Sequence, residues 1–502
     1  MTTPPVSPNL TLVNASVANA TSSPKPSYND GDIAWVVAST ALVFIMIPGL
    51  AFFYGGMARS KNALSLILVV VLCMAVVSVQ WWIWGFSLAF GPSTSGFIGN
   101  LDHAFFINVW DQPVPSPNIP MLLFAIYQCL FAAITPALAL GSAAERGRIV
   151  PMIVFTFIWS TLVYDVIACW TWNTDGWSNV MGGLDFAGGT PVHISSGAAS
   201  LAYCIIVGKR QGHASDFKPH NIANVVLGTG LLWFGWFGFN GGSALAANMR
   251  AILAVVVTNL AAASAGITWV LIDYVRERKL SALGFCSGAV AGLVGITPAS
   301  GFVATWPAFV IGVVTGAACN VACKLKSRLG FDDAADVFGV HCIGGLCGNL
   351  MTGFFARKSV ALLDGTVIKG GWLDRHWMQF LYQLADSVAG LSYSFVVTYI
   401  ILTIMDRIPG FSLRADVESE ARGMDLAELG ELAYQYVQQR MSIIAPSPSG
   451  GRISRFSGSS QVDTDTHKAH MDAIKEVKET NEANGIKSPK SPKSIFKMFF
   501  NK

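Results

Sequence analysis

The chain has 502 residues, of which 52% are hydrophobic and only 13% are charged, and its mean hydropathy is +0.50. This composition is too apolar for an ordinary soluble domain and predicts an all-α polytopic membrane protein. The 49 glycines agree with this prediction, because small residues allow membrane helices to approach closely. The net charge of +3 is small and unevenly distributed, so it indicates orientation in a bilayer rather than nucleic-acid binding.

The first 31 residues form a polar tail that lacks the features of a cleavable signal peptide, and 32–405 is expected to be the membrane domain. Three sequons in the tail make Asn9, Asn14 and Asn19 glycosylation candidates, as is typical of an outward-facing segment. About eleven apolar stretches are long enough to span a bilayer. Their approximate limits are 33–56, 63–89, 120–141, 150–172, 190–208, 222–242, 251–273, 281–298, 303–323, 335–355 and 377–405.

The charges of the connections predict the orientation. Basic residues occupy every second connection, whereas 92–118 and 173–189 contain no Lys or Arg. Because positive loops stay on the cytoplasmic side, the N-terminus is expected outside and the C-terminus in the cytosol, which requires an odd number of spans. The connection from Arg357 to Arg375 is an exception, since it carries four basic residues on the predicted outer side.

The composition changes after the last span. Residues 406–440 have mixed charge and are expected to form an ordered cytosolic segment, followed by a disordered regulatory tail over 441–502. Ser454 and Ser457 lie in a sequence that resembles a basophilic kinase site, so both are phosphorylation candidates, although such short motifs also arise by chance. The basic and aromatic residues 495–502 either rest on membrane lipid or fray.

Two similar segments each carry a histidine into an apolar span. The first is Asp185-Phe-Ala-Gly-Gly-Thr-Pro-Val-His193, and the second is Asp336-Val-Phe-Gly-Val-His341. An ionisable ring inside a membrane span is costly to desolvate and therefore indicates a functional site. The matched positions in two hydrophobic halves predict an inverted five-helix repeat with the histidines facing each other near the midplane. Two such rings can hydrogen-bond a small polar solute and pass a proton, although a buried histidine can also be structural.

The acidic and aromatic residues near these motifs each allow two interpretations. Asp185 and Asp336 are either cation ligands or, as we favour, N-terminal caps of the helices that follow. Most aromatic residues of the third, fourth and sixth spans are interfacial anchors, but a few can face an opening and hold a small cation by cation–π attraction. The aromatic residues of these three spans between which the sequence does not choose are Tyr127, Phe131, Trp170, Trp172, Trp233, Trp236, Phe237 and Phe239.

Several kinds of chemistry are excluded. The nine cysteines form no CxxC pair, so neither a zinc site nor a disulfide framework is indicated, and no cofactor is expected. The chain lacks GxxxxGK[ST], HExxH and GxSxG motifs, and no cytosolic segment is large enough for a catalytic domain. These features argue against an enzyme, and the absence of an arginine ladder argues against a voltage sensor.

Several motifs in order along 32–436 resemble the ammonium transporter family (Amt, Mep and Rh proteins). Besides the Asp185 and Asp336 segments, the resemblance rests on 48–62 (PGLAFFYGGMARSKN), 236–243 (WFGFNGGS) and 413–420 (LRADVESE). His193, the sequons and the long tail are most similar to fungal high-affinity Mep-type permeases with twin histidines. Leu429-Gly-Glu431 stands where many relatives have His-Gly-Glu, so the resemblance leaves the docking of the tail open.

The resemblance implies roles for individual residues. The outer ammonium-binding site is matched by Trp172, Phe131 and Ser243, with Tyr127 beside them. The stacked pair that closes the pore is matched by Phe131 and Phe239, and the twin histidines of the conduction path are matched by His193 and His341. Asp185 matches an aspartate needed for structure and transport, and Asp336 and Trp236 are placed in the same structural class.

The resemblance also implies the function. A plasma-membrane homotrimer would bind NH4+ outside, with methylammonium as an analogue, and conduct ammonia along the histidines while the proton passes separately. A kinase acting on the tail would regulate it. Two alternatives remain open: an ammonium receptor in which flux is secondary, and an Rh-like neutral gas channel.

Overall fold

The computed structural model describes residues 28–111, 118–212 and 217–434. Most of these residues are helical, and the strand-type pairing among them is one isolated bridge between Gly147 and Arg414. Within these ranges ten helices are apolar and long enough to cross a membrane, so the prediction of an all-α polytopic fold is confirmed. The sequon asparagines Asn9, Asn14 and Asn19 and the tail serines Ser454 and Ser457 lie outside the described residues.

We number the apolar helices α1 to α11 in chain order. Their bounds are α1 Asp30–Met57, α2 Ser60–Phe90, α3 Met121–Ala143, α4 Ile149–Met181, α5 Gly189–Val207, α6 Ile222–Gly242, α7 Met249–Glu277, α8 Ala282–Ile296, α9 Thr305–Lys326, α10 Phe338–Phe355 and α11 Met378–Met405. Each begins and ends within several residues of a predicted span, apart from α4, which includes a short additional helix after Trp172.

Helix α8 differs from the other ten in length. It has 15 residues and is about 22 Å long, whereas a bilayer core is about 30 Å thick. Most of its residues are buried inside the protein, including Gly288, Ala291 and Leu293. Length alone therefore identifies ten spans among the described residues, and the odd number that the predicted orientation requires is reached only when α8 is counted as the eleventh.

Polar side chains begin several of these helices. In each case the side-chain oxygen accepts a hydrogen bond from the backbone N–H three residues later, which satisfies one of the free donors of the first turn. The caps are Asn29 for α1, Asn221 for α6, Asn248 for α7 and Ser281 for α8. These residues explain why the helices start where they do.

Small residues allow the helices to pack closely. Helix α1 packs along α6, while α7 packs against both α8 and α9. A Cβ atom at Gly228 of α6 would lie 2.4 Å from the backbone nitrogen of Phe53 in α1, so only glycine fits there. The high glycine content thus serves close helix contacts, as the composition indicated.

One end of the bundle, which we call the basic end, carries a buried ionic network. Glu145 pairs with Arg59 at 2.9 Å and with Arg210 at 3.3 Å, and Arg210 also pairs with Asp332 at 2.8 Å. Burial acts to raise the pKa of Asp332, but the hydrogen bonds and charge of Arg210 and the charge of Arg146 outweigh it and hold that pKa well below its usual range.

The connection from Arg357 to Arg375 lies at the opposite end. Arg357 pairs there with Asp374 at 2.9 Å, and Arg250 of α7 pairs with Asp364 of the same connection at 3.0 Å. Asp374 therefore pairs with a basic residue of the connection itself, whereas Asp364 pairs with a basic residue of α7.

The segment after α11 docks on the basic end. Asp425 accepts hydrogen bonds from the backbone nitrogens of Leu64 and Ser65 at the start of α2, and Glu428 accepts one from the nitrogen of Ile149 at the start of α4. Leu429 is half-buried and packs against the apolar core. The question that Leu429 left open is thereby answered, because carboxylates at helix N-termini and an apolar contact hold the segment.

Candidate functional site

The two histidines of the sequence motifs meet in the interior of the bundle. His193 lies on a π-helical turn, Gly189–Ile194, and His341 lies on another, Phe338–Cys342. Their Nδ1 atoms are 3.3 Å apart, and the two side chains are 1% and 4% exposed. One ring must donate and the other accept, while the Nε2 atom of His193 has no hydrogen-bond partner among the described residues. This nitrogen is therefore available to a solute.

The contacts around the two histidines are reciprocal. A Cβ atom at Gly197, four residues after His193, would lie 2.4 Å from the backbone nitrogen of Cys342. A Cβ atom at Gly345, four residues after His341, would lie 3.2 Å from the Cβ atom of His193. Each glycine thus allows the partner turn to approach, which supports the predicted repeat locally.

The prediction matched Asp185 of the first motif with Asp336 of the second, but the aspartate that matches Asp185 in the structure is Asp333. Asp185, eight residues before His193, accepts hydrogen bonds of 2.7 to 2.8 Å from the backbone nitrogens of 188–190. Asp333, eight residues before His341, accepts one of 2.8 Å from the nitrogen of Phe338. Asp185 thus occupies the capping position that the sequence analysis favoured.

The prediction that Asp336 caps the second helix is wrong. Asp336 has a left-handed backbone (φ 57°), and its carboxylate pairs with Lys326 at 2.6 Å. Its structural counterpart in the first motif is Gly188, which is also left-handed (φ 111°) and stands at the same spacing from its histidine. The shared eight-residue spacing of Asp185 and Asp333 was the signal in the sequence that could have found the cap.

The pKa values of both capping carboxyls, Asp185 and Asp333, are raised. Burial raises the pKa of Asp185 to about 7, and the carboxyl of Asp386 adds to this effect, while the backbone N–H donors oppose it. Burial likewise raises the pKa of Asp333 to about 6, and the charge of Lys326 opposes it. Each histidine-bearing turn therefore begins beside a carboxyl whose pKa burial raises above its usual range.

Aromatic rings lie between His193 and the end opposite the basic end. The rings of Phe131 and Phe239 stack with centroids 4.0 Å apart and an interplanar angle of 25°, and the Trp172 ring meets Phe131 edge-on at 6.0 Å. The centroid of Phe239 is 6.2 Å from that of His193. The rings that the resemblance assigned to an outer site and a closure thus stand in series before the histidines.

The end of the ring series that lies farthest from the basic end, which we call the outer rim, contains a half-buried hydroxyl. Ser243 donates its hydroxyl hydrogen to the carbonyl oxygen of Phe239 at 2.8 Å, and its oxygen lies 3.4 Å from the hydroxyl of Tyr127. Because a hydroxyl oxygen has two lone pairs, Ser243 can still accept a further hydrogen bond. Tyr127 is fully buried, its ring contacts Phe131 edge-on at 5.0 Å, and its hydroxyl lies 2.9 Å from two backbone carbonyl oxygens. The geometry therefore gives Ser243 the more accessible acceptor and Tyr127 a supporting position behind the rings.

Two tryptophans are fixed by hydrogen bonds. The Trp172 indole donates to the carbonyl oxygen of Asp185 at 3.1 Å, which ties the outer rim to the first histidine motif. Trp236 stacks on His193 with centroids 5.5 Å apart, and its indole donates to the Thr297 hydroxyl at 2.9 Å. Neither indole N–H is left for a substrate, so both rings present only their faces and edges.

A cavity continues from the histidines toward the basic end. Its lining includes His193, His341 and Asp336, together with Tyr54 and Met57 of α1. A second cavity shares Tyr54 and Met57 with it and extends to Glu145 and Arg210 of the ionic network. Tyr54 and Met57 were not predicted to line the path, because a largely apolar side chain on a membrane helix gives no sign of which face lines a cavity.

These features can be compared with known proteins. A model of the Ammonium Transporter Family matches residues 34–434. The chain belongs to this family. Membership confirms the resemblance seen in the motifs, and it makes the chain a transporter rather than an enzyme.

Individual members of the ammonium transporter family are closely similar to this chain. Ammonium transporter 1 of Schizosaccharomyces pombe is 52% identical over 413 residues, which cover 82% of this chain and 83% of that protein. Ammonium transporter MEP2 of Saccharomyces cerevisiae is 48% identical, with 80% of this chain and 83% of that protein covered. The crystal structure of Candida albicans Mep2 is 46% identical, has a TM-score of 0.76, and covers 81% of this chain and 91% of that chain.

Proposed function

We propose that this chain is a plasma-membrane ammonium transporter that binds NH4+ at an outer aromatic site, removes a proton and conducts ammonia past His193 and His341. The observation that carries the proposal is the series of Trp172, the Phe131–Phe239 stack and the two histidines, whose Nδ1 atoms are 3.3 Å apart in a buried path. The names of its relatives in Schizosaccharomyces pombe and Saccharomyces cerevisiae support ammonium as the substrate.

The outer site suits a small cation. The faces of aromatic rings attract a monovalent cation by about 1 to 2 kcal/mol when the site is partly desolvated. The free acceptor of Ser243 can take a hydrogen bond from an ammonium N–H, which an alkali ion cannot offer. Together, the ring of Trp172 and the hydroxyl of Ser243 account for capture of NH4+ at the rim.

Beyond the stacked rings, the positive charge of ammonium is costly to desolvate. An unpaired ion in an apolar interior loses far more solvation energy than a neutral amine, which needs only a few hydrogen bonds. We infer that one N–H bond of the ammonium breaks beyond Phe131 and Phe239, that the free Nε2 atom of His193 accepts the proton, and that ammonia continues as the neutral molecule. The free Nε2 atom of His193 then provides a hydrogen-bonding partner inside the path.

The proton needs its own route, and the histidine pair supplies one. A proton taken up by one imidazole can leave from the other, because the two Nδ1 atoms share a hydrogen bond. The cavity beyond His341 leads toward the basic end, where ammonia would take up a proton again. Transport of ammonia and a proton together then equals net uptake of ammonium.

Further features of the proposal come from the resemblance and the charge pattern. We infer an extracellular N-terminus, a cytosolic C-terminus and a homotrimer with one path in each subunit. A kinase that acts on Ser454 or Ser457 would add negative charge to the tail. Signalling by ammonium occupancy is compatible with the same site, and the docked segment beside α2 and α4 provides a contact through which it would act.

A yeast strain that lacks its own ammonium permeases tests the proposal. Wild-type protein should restore growth on low ammonium and take up methylammonium, and His341→Ala should do neither while present at the membrane in equal amount. Failure of correctly localised wild type would reject transport and favour a receptor. Uptake that Trp172→Ala leaves unchanged would favour an Rh-like path for neutral gas.

A further inference from the structure

A second buried carboxylate, Asp386 of α11, lies behind the first histidine motif. Its side chain is almost fully buried. One oxygen accepts a hydrogen bond of 2.6 Å from the hydroxyl of Ser178, and the other accepts bonds from the hydroxyl of Thr190 and from the amide of Asn349 at 3.2 Å. None of these partners carries a positive charge.

The partners indicate the charge state of Asp386. Burial without a cationic partner opposes ionisation, but the two hydroxyls and the amide lie as donors to the carboxyl oxygens, and three donated hydrogen bonds stabilise the ionised form. Asn349 is itself held in place, because its amide nitrogen also contacts Ser387 at 3.0 Å and its oxygen accepts from Gln383 at 3.3 Å. The network thus orients donors toward a negative charge at this end of the path.

Thr190 connects this charge to the transport path. Its backbone nitrogen donates to Asp185, its hydroxyl donates to Asp386, and it stands three residues before His193 on the same π-helical turn. Asp185 in turn accepts, through its carbonyl oxygen, the indole hydrogen of Trp172. Asp386 is therefore joined to both the outer ring and the first histidine through hydrogen bonds without touching the substrate itself.

We propose that Asp386 is a positioning residue whose fixed negative charge raises the affinity of the outer site for a monovalent cation. It acts in two ways: it holds the start of the histidine-bearing turn through Thr190, and it adds a negative potential that a cation in the aromatic site experiences. Neutral ammonia would gain little from this charge. The inference rests on the proposed function, and it assigns cation selection at the rim to a residue beyond the aromatic site.

The substitution Asp386→Asn separates charge from shape. Asparagine has nearly the same volume and retains an oxygen acceptor, but it carries no charge. The KM for methylammonium uptake should rise on the order of tenfold, as removal of a unit charge one residue layer away predicts at an effective dielectric constant of about 20. The maximal rate at equal surface expression should change less than about twofold, since charge acts mainly on binding.

Ser178→Ala is the matched control, because it removes one hydrogen bond from the same carboxylate and leaves the charge in place. Its KM should stay within about twofold of wild type. An unchanged KM in Asp386→Asn would overturn the proposal. An equal rise of KM in Ser178→Ala and Asp386→Asn would also overturn it, because geometry rather than charge would then set affinity.

A second pair of variants decides the matter if Asp386→Asn does not reach the membrane. Asn179 is exposed and adjacent to Ser178, so Asn179→Lys and Asn179→Gln add side chains of similar length that differ in charge. Lysine should oppose the field of Asp386 and raise KM about twofold to fivefold, whereas glutamine should not. Equal KM values in the two variants would overturn the proposal. Wild-type uptake in the same cells separates these outcomes from failure of transport itself.

Discussion

Asp425 holds the segment after α11 against the membrane helices, and its removal should release that segment. Its carboxylate is fully buried and accepts hydrogen bonds of 3.0 and 2.7 Å from the nitrogens of Leu64 and Ser65. Loss of a carboxylate cap costs about 1 to 2 kcal/mol, and a hydrogen bond to a charged group contributes about 1.5 to 3 kcal/mol. We expect Asp425→Ala to weaken docking by about 3 kcal/mol, or on the order of a hundredfold in the docked population.

Amide hydrogen exchange on the purified full-length protein measures this change. Residues 417–429 should exchange faster in Asp425→Ala, while the interior of α2 should remain protected. The hydrogen bond from Met424 to the Asn62 side chain and the contact of Glu428 with Ile149 remain, so docking is weakened rather than abolished. Glu418→Ala is the control, because Glu418 is exposed on the short helix Val417–Arg422, which precedes Asp425 in the docked segment.

Wild-type protection of 417–429 in Asp425→Ala would refute this reasoning. Faster exchange of equal size in Glu418→Ala would also refute it, because the effect would then come from the stability of the short helix Val417–Arg422 and not from its docking.

Three further predictions concern the path and the basic end. Trp172→Leu keeps an apolar side chain but removes the aromatic face, so the KM for methylammonium should rise about fivefold to thirtyfold, and an unchanged KM would argue against cation–π capture. Asp333→Ala should lower the melting midpoint more than Asp336→Ala. The first variant removes a buried cap worth about 1 to 2 kcal/mol, whereas the second removes a partly exposed ion pair worth about 0 to 1 kcal/mol. A larger fall in Asp336→Ala would restore Asp336 as the cap. The pKa of Asp332 is lowered in the folded protein, so its contribution to stability is present above its unfolded pKa of about 4 and is lost as the pH falls below that value. Between about pH 6 and pH 3 the melting midpoint of wild type should therefore fall more than that of Asp332→Asn, and parallel curves would contradict the role of its pairing with Arg210.

The sequence predicted most of the helical architecture because membrane helices leave a strong local signal. A run of about 20 apolar residues is sufficient to mark a span, and the predicted limits agree with the helix bounds to within several residues for most helices. Helix α8 shows where this reasoning stops. Its 15 residues are apolar and mostly buried among other helices, but they are fewer than the length criterion requires, so length alone does not identify α8 as a span.

The candidate site was predicted where charge or ring chemistry made residues conspicuous. His193 and His341 stood out as ionisable groups in apolar spans, and they meet in the structure. The assignment of Asp336 failed because three aspartates closely precede His341, and the one nearest to the histidine was matched to Asp185. Only the backbone, with its left-handed residue at Asp336, shows that Asp333 occupies the capping position.

Long-range polar contacts could not be predicted at all. Asp386 and Thr190 are 196 residues apart in the chain, and Asp425 caps a helix that begins some 360 residues earlier. Nothing in the local sequence of α11 or of the segment after it identifies these partners, because the contacts depend on how α5, α10 and α11 pack. Buried acids within a membrane protein mark such sites, but their partners come only from the fold.

The most direct test of the account is ammonium-evoked charge movement in vesicles that contain the purified protein, compared between wild type and His193→Ala, with K+ as the comparison ion. The account predicts that the wild type responds to ammonium and not to K+, and that selective ammonium transport falls at least about tenfold in the variant. Unchanged and fully selective transport by His193→Ala would contradict conduction along the histidine pair.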